Sequence, residues 1–202
     1  MSLIVKDESR VPELLRELDY LDSHALKAGI MGEEDSELIM IAATHEFGAT
    51  IKPKNSKYLA IPLPAAGDTR PADHDDLFVP RGTKILAKPK GQGEKDFIPM
   101  FVLLKSVMIP ERSYIRSTFD ENKNKINEMG QDLLINVLEG KLTGEQLYNR
   151  LGLYLQTLIQ RKIKETKSPA NSALTVANKG TDNPLIQTGR LRNAVTYEVV
   201  SL

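Results

Sequence analysis

The sequence predicts an α+β fold: an antiparallel sheet of about four strands packed against two long helices, with an extended loop or hairpin arm. Three observations predict it. Apolar residues recur at helical spacing in two long stretches, Ile115, Phe119, Ile126, Met129, Leu133, Val137 and then Leu147, Leu151, Tyr154, Leu158, Ile159. Short alternating or β-branched runs lie outside them, such as Val195-Thr196-Tyr197-Glu198-Val199-Val200. Between Pro64 and Asp96 the composition turns to Pro, Gly, Asp and Lys.

The elements follow in order. Pro12 suits a first helical turn, and Val11, Leu14, Leu15, Leu18 and Leu21 share one face. A strand over Ala25 to Met31 is ended by Gly32. Asp35 or Ser36 caps a second helix carrying Leu38, Ile39, Ala42 and His45, and Gly48 stops it. Tyr58 to Leu63 reads as an edge strand, because Pro62 lacks the N–H that a ladder needs. The stretch 64–96 reads as the arm, with small apolar islands at Leu77-Phe78-Val79 and Ile85-Leu86-Ala87. Phe97 to Ile109 is strand-like and Pro110 closes it. The first long helix ends at Gly140, and Thr143 with Gln146 forms a capping box for the second. Pro169 breaks that helix, and Ser168 to Asn183 reads as polar and irregular. A capped turn and a closing strand complete a single domain over residues 1–202.

Composition narrows the function. Lys plus Arg and Asp plus Glu each number 27, so the chain has no net basic charge for coating nucleic acid. The 41% hydrophobic content is that of a globular chain. No apolar run is long enough for a membrane helix, and Met1 to Glu8 lacks the order of a signal peptide. With no cysteine there is no disulfide, thiolate metal site or cysteine nucleophile.

The candidate chemical motifs fail on spacing. His45-Glu46 lacks the second histidine one turn later that a zinc hydrolase needs, since position 49 is Ala. Asp73-His74-Asp75-Asp76 lacks the closing glutamate of a calcium loop and reads as a solvated acidic tip. Gly91-Gln92-Gly93-Glu94-Lys95 matches neither phosphate-loop spacing. The three histidines are far apart and no nucleophile elbow accompanies them. The expectation is therefore a non-enzymatic protein with no catalytic, metal or cofactor residues. The basic run Arg161 to Lys167 reads as compensation of a helix dipole, with DNA contact as the competing reading.

Three segments remain: Ala43-Thr44-His45-Glu46-Phe47-Gly48, Ile109-Pro110-Glu111-Arg112-Ser113-Tyr114-Ile115-Arg116, and Leu185 to Val195 with Thr188, Gly189 and Leu191. Their local physics is structural. Gly48 permits a sharp turn, Pro110 ends a strand and lets Arg112 enter a helix, and Thr188 can cap the final turn while Gly189 permits close packing. As an ordered set they resemble the tailed-phage head–tail connection proteins, also called tail completion, neck or virion morphogenesis proteins, of which the lambdoid minor tail protein Z is one branch. The resemblance spans about Ala25 to Val200, with 64–96 as an insertion. It implies a structural subunit of a hexameric ring at the head–tail junction of the virion, made in the bacterial host cytoplasm. Its partners would be other copies, neighbouring connector proteins and tail tube or terminator proteins. DNA contact in a lumen would be unspecific, and no membrane or cofactor is implied. Leu77, Phe78 and Val79 on the arm, and Arg190 and Arg192 near the end, are the expected interface residues. Tail termination is an alternative role, and a DNA-binding or DNA-processing module is another.

Overall fold

A computed structural model describes residues 9–32, 35–91 and 96–202. Met1 to Glu8, read as lacking a signal peptide, and positions 92–95 of the glycine-rich loop lie outside the described residues. The chain divides into two compact units, residues 1–39, 114–165 and 190–202 forming the first, and residues 40–113 and 166–189 the second. Among the described residues all strand pairing is antiparallel and helices are interspersed with it, so the mixed helix-and-sheet class predicted from sequence holds. Among the described residues a single sheet of about four strands does not form, and the strands make three separate pieces of two, two and three strands.

In the first unit, α1 (Val11–Ser23) precedes β1 (His24–Ile30). β1 pairs along its whole length with the closing strand β7 (Val195–Ser201), in the register His24 to Ser201 and Ile30 to Val195. The long helices α3 (Arg116–Leu138) and α4 (Gly144–Glu165) are joined at Gly140, whose φ of +69° suits glycine. The capping box forms as the sequence predicts: Gln146 N–H donates to Thr143 Oγ1 at 3.1 Å and Thr143 N–H to Gln146 Oε1 at 3.2 Å. Leu133, Val137, Leu142 and Leu147 are buried together, with Leu21 and Tyr148 packed on them. α4 lies on the ribbon so closely at Gly152 that a Cβ there would sit 2.3 Å from the Tyr197 ring. The apolar face of α1 departs from expectation. No residue of α1 is buried, and Val11, Leu15 and Leu18 remain exposed.

The division into units falls within α2 (Ser36–Phe47), whose start Asp35 caps by accepting from Leu38 N–H at 2.8 Å. Gly48 turns the chain with φ +70° into β2 (Ala49–Ile51). In the second unit β2 pairs with β6 (Val107–Ile109), and a three-stranded sheet has the order β3 (Leu59–Pro62), β5 (Phe97–Leu104), β4 (Ile85–Pro89). β3 is an edge strand, as Pro62 requires. β5 and β6 are separated at Lys105-Ser106.

In the segment read as an extended loop or hairpin arm, β4 is the antiparallel neighbour of β5 in this unit. Phe78 bridges Ala87, and Ala66 and Ala87 are buried. Leu77 packs on the cluster of Ala66, Met100 and Phe101, and Phe78 meets Phe97 edge to face at 6.3 Å. The apolar islands supply the missing hydrophobic side of the sheet, so their burial offsets the cost of ordering a polar loop. Of the three residues expected to anchor a partner, Leu77 and Phe78 serve the fold, and Val79 stays exposed. A second difference is α5 (Ala173–Lys179), within the stretch read as irregular. Ser172 caps it by accepting from Thr175 N–H, and Gly180 ends it with φ +71°.

Candidate functional site

Two of the three singled-out segments, 60 or more residues apart, meet at one point of the second unit. The end of α2 delivers His45, Glu46, Phe47 and Gly48, and β6 delivers Pro110 to Ser113 directly beside them. Arg112 N–H donates to His45 O at 2.7 Å. Ser113 Oγ donates to Glu46 Oε1 at 2.7 Å, which satisfies a carboxylate that is buried. At Gly48 the backbones nearly touch: an added Cβ would lie 2.9 Å from Glu111 N and 3.1 Å from Ile109 O. The glycine is therefore needed twice, for its φ and for the space.

Arg112 ties this junction to the 169–171 segment. Its Nε donates to Pro169 O at 2.6 Å, and its Nη2 to Ala170 O at 3.2 Å and Asn171 Oδ1 at 3.5 Å. A buried guanidinium that spends its fork on carbonyl oxygens is a clamp for the chain. Asn171 in turn donates to Asp182 O and Asn183 O. Lys179 Nζ reaches Asn183 O at 2.9 Å and Pro184 O at 3.0 Å. Asn183, buried, accepts from Leu185 N–H and Ile186 N–H and so fixes the turn that opens the third segment. Within that segment Gly189 has φ +82°.

Electrostatics at the junction follow from burial and from three basic groups close together. Burial, and then the charges of Arg112 and Lys179, push the His45 imidazole from 6.5 down to about 4. Burial followed by the Arg112 charge lowers Lys179, and burial lowers Arg112. His45 is thus neutral near pH 7, and its Nδ1 is buried with no hydrogen-bond partner among the described residues. A neutral imidazole can accept a proton. Among the described residues, no three His, Cys, Asp or Glu side chains group so as to hold a metal ion. No described helix is long and apolar enough to cross a membrane.

The other sequence-predicted residues lie elsewhere. Phe47 is exposed beside the junction. Arg116 opens α3 and is exposed, Thr188 is exposed, and Leu191 is buried in α6 (Arg190–Asn193) of the first unit. Arg190 pairs with Asp35, and with Glu37 at 3.6 Å, inside its own unit. Arg192 donates to Asn193 Oδ1 and lines a shallow depression of about 460 Å³ with Arg161 and Lys164. Sequence reasoning missed Lys179, Asn171 and Asn183. The signal for Asn183 was present, since Asn-Pro favours turn initiation, whereas the carbonyl partners of Arg112 have no signature.

Comparison with protein-family models, with curated proteins and with solved structures finds no match to this chain.

Proposed function

We propose that the chain is a structural virion protein at the head–tail junction of a tailed phage, completing the tail or joining it to the capsid without catalysing a reaction. It works as a ring of six copies, against neighbouring connector proteins and tail tube or terminator proteins. Its location is the virion, after synthesis in the bacterial host cytoplasm. One observation supports the reading: two of the ordered segments that resemble this family meet in one hydrogen-bonded junction. Arg112 and Asn183 bind main-chain groups of the protein itself, Arg112 with one further bond to the Asn171 side chain, and Gly48 lets two backbone segments approach closely. Such a use suits a subunit whose task is to present fixed surfaces to its neighbours.

The test is the morphology of particles made when the gene is deleted from the phage encoding it. Filled heads and unattached tails of normal length are the expected products. Overlong tails would instead assign the chain to termination of tail polymerisation. Normal infectious particles would sink both readings.

The DNA-binding alternative has one specific observation in its favour, the grouping of Arg161, Lys164 and Arg192 around one depression. Purified protein that binds duplex DNA with a steep salt dependence would support it. No binding at low salt would remove it.

A further inference from the structure

The chain carries no net charge, but its second unit keeps cations and carboxylates apart along one sheet. Residues 49–67, 77–91 and 97–110 contain every strand described in that unit and include no Asp or Glu. Asp76 and Asp96 belong to the end of the three-stranded sheet where Pro89 pairs with Phe97. There Asp76 pairs with Lys88 at 3.6 Å, and Asp96 O accepts from Lys90 N–H at 2.9 Å.

The opposite end gathers six cations. Leu59 opens β3 opposite Leu104 at the end of β5, and Ile85 opens β4 opposite Val102. Lys57 therefore leads into this end and Lys105 leaves it. Leu103 N–H donates to Lys84 O at 2.7 Å, which sets Lys84 beside them. Ile51 pairs with Val107, so Lys52 leaves β2 next to the same 104–107 stretch. Lys54 lies in the loop between Lys52 and Lys57, and Arg81 in the turn that Thr83 N–H closes on Pro80 O. All six residues are exposed, and none forms an ion pair among the described residues.

Like charges held together repel one another and raise a positive potential that a row of anions relieves. We infer that this basic end of the sheet is a contact for the phosphate backbone of nucleic acid, bound without regard to base sequence. The makeup of the patch favours that partner over an acidic protein. Protein interfaces are depleted in lysine, whereas surfaces that hold nucleic acid are far more positively charged. Lysine meets phosphate as a point charge, a contact that positions the strand and reads no bases. Asn55, exposed between Lys54 and Lys57, adds a neutral donor of the kind that bonds phosphate oxygens. The patch belongs to a different unit from the depression of Arg161, Lys164 and Arg192, and the inference does not rest on the head–tail reading.

The test uses the full chain and labelled duplex DNA of two unrelated sequences, with binding read by fluorescence anisotropy across a salt series. The wild type should bind both alike and lose affinity steeply as salt rises. Lys57→Gln, Lys84→Gln and Lys105→Gln together should weaken binding at least about tenfold at low salt and lower the slope of log affinity against log salt by about 2–3. Circular dichroism should not change, because all three residues are exposed. Lys52→Gln with Lys54→Gln, confined to the loop, should act in the same direction and serves if the triple variant fails to fold. Arg161→Gln, Lys164→Gln and Arg192→Gln together should leave binding as it is. No binding by the wild type at low salt, binding indifferent to the sheet-end lysines, or binding lost only through the α4 variant would overturn the inference. So would capture of polyglutamate in preference to duplex DNA at equal charge concentration. Particle morphology tests the head–tail proposal separately, whichever way the binding result falls.

Discussion

Replacing Gly48 by alanine tests the junction most sharply. Position 48 has φ +70°, a conformation that costs a residue with a Cβ about 1–2 kcal/mol. The new Cβ would also stand 2.9 Å from Glu111 N and 3.1 Å from Ile109 O, both main-chain atoms of the segment leading to Arg112. Neither can swing aside as a side chain would, so overpacking adds about 1–3 kcal/mol. The sum, about 2–5 kcal/mol, is a large share of a total stability of about 5–15 kcal/mol. Gly67 supplies the control: it has φ +55° and no heavy atom within 4 Å of an added Cβ. Gly67→Ala should therefore lose only the backbone part, about 1–2 kcal/mol. Urea unfolding gives both losses, and hydrogen exchange by mass spectrometry localises them. Gly48→Ala should lose protection at β2, β6 and around Arg112. If it is no less stable than Gly67→Ala, or if its exchange changes lie elsewhere, the close approach does not govern this site.

Other consequences are as direct. Gly152→Ala should destabilise by about 1–3 kcal/mol despite the better helix propensity of alanine, because its Cβ meets the Tyr197 ring. Adding Tyr197→Leu should recover part of that loss in a double-mutant cycle by thermal unfolding. Thr143→Ala removes the side-chain cap of α4 and should cost about 1 kcal/mol in urea unfolding. The pH dependence of stability should carry a His45 contribution of fixed sign. Native His45 stays neutral down to about 4, while the unfolded imidazole gains its proton near 6.5. Stability from this group is present above pH 6.5 and is lost as pH falls towards 4. His45→Gln should flatten the wild-type curve within that window, and parallel curves for the two proteins would refute the assignment.

What could be read from the sequence was what local physics writes into it. The two long helices announce themselves by spacing, and the glycine stop at 140 and the Thr143–Gln146 box mark the joint between them. The fate of residues 64–96 was not legible in the same way. Ile85-Leu86-Ala87 lies among lysines and prolines, and only pairing with β5 turns it into a strand. α5 is seven residues long, too short to show a period, although Ser172, Thr175 and Gly180 spelled out its caps. The division of the strands among three pieces rests on the break at Lys105-Ser106 and on pairings between distant residues. At the junction, Gly48 and Arg112 could be singled out, but the main-chain oxygens that Arg112 holds carry no side-chain identity.

The most direct measurement for the proposed head–tail role is an electron cryomicroscopy reconstruction of intact virions of the phage that, on that proposal, encodes the chain. The account predicts density for a closed ring of this protein between portal and tail tube. Particles that are complete, infectious and devoid of the chain would contradict it.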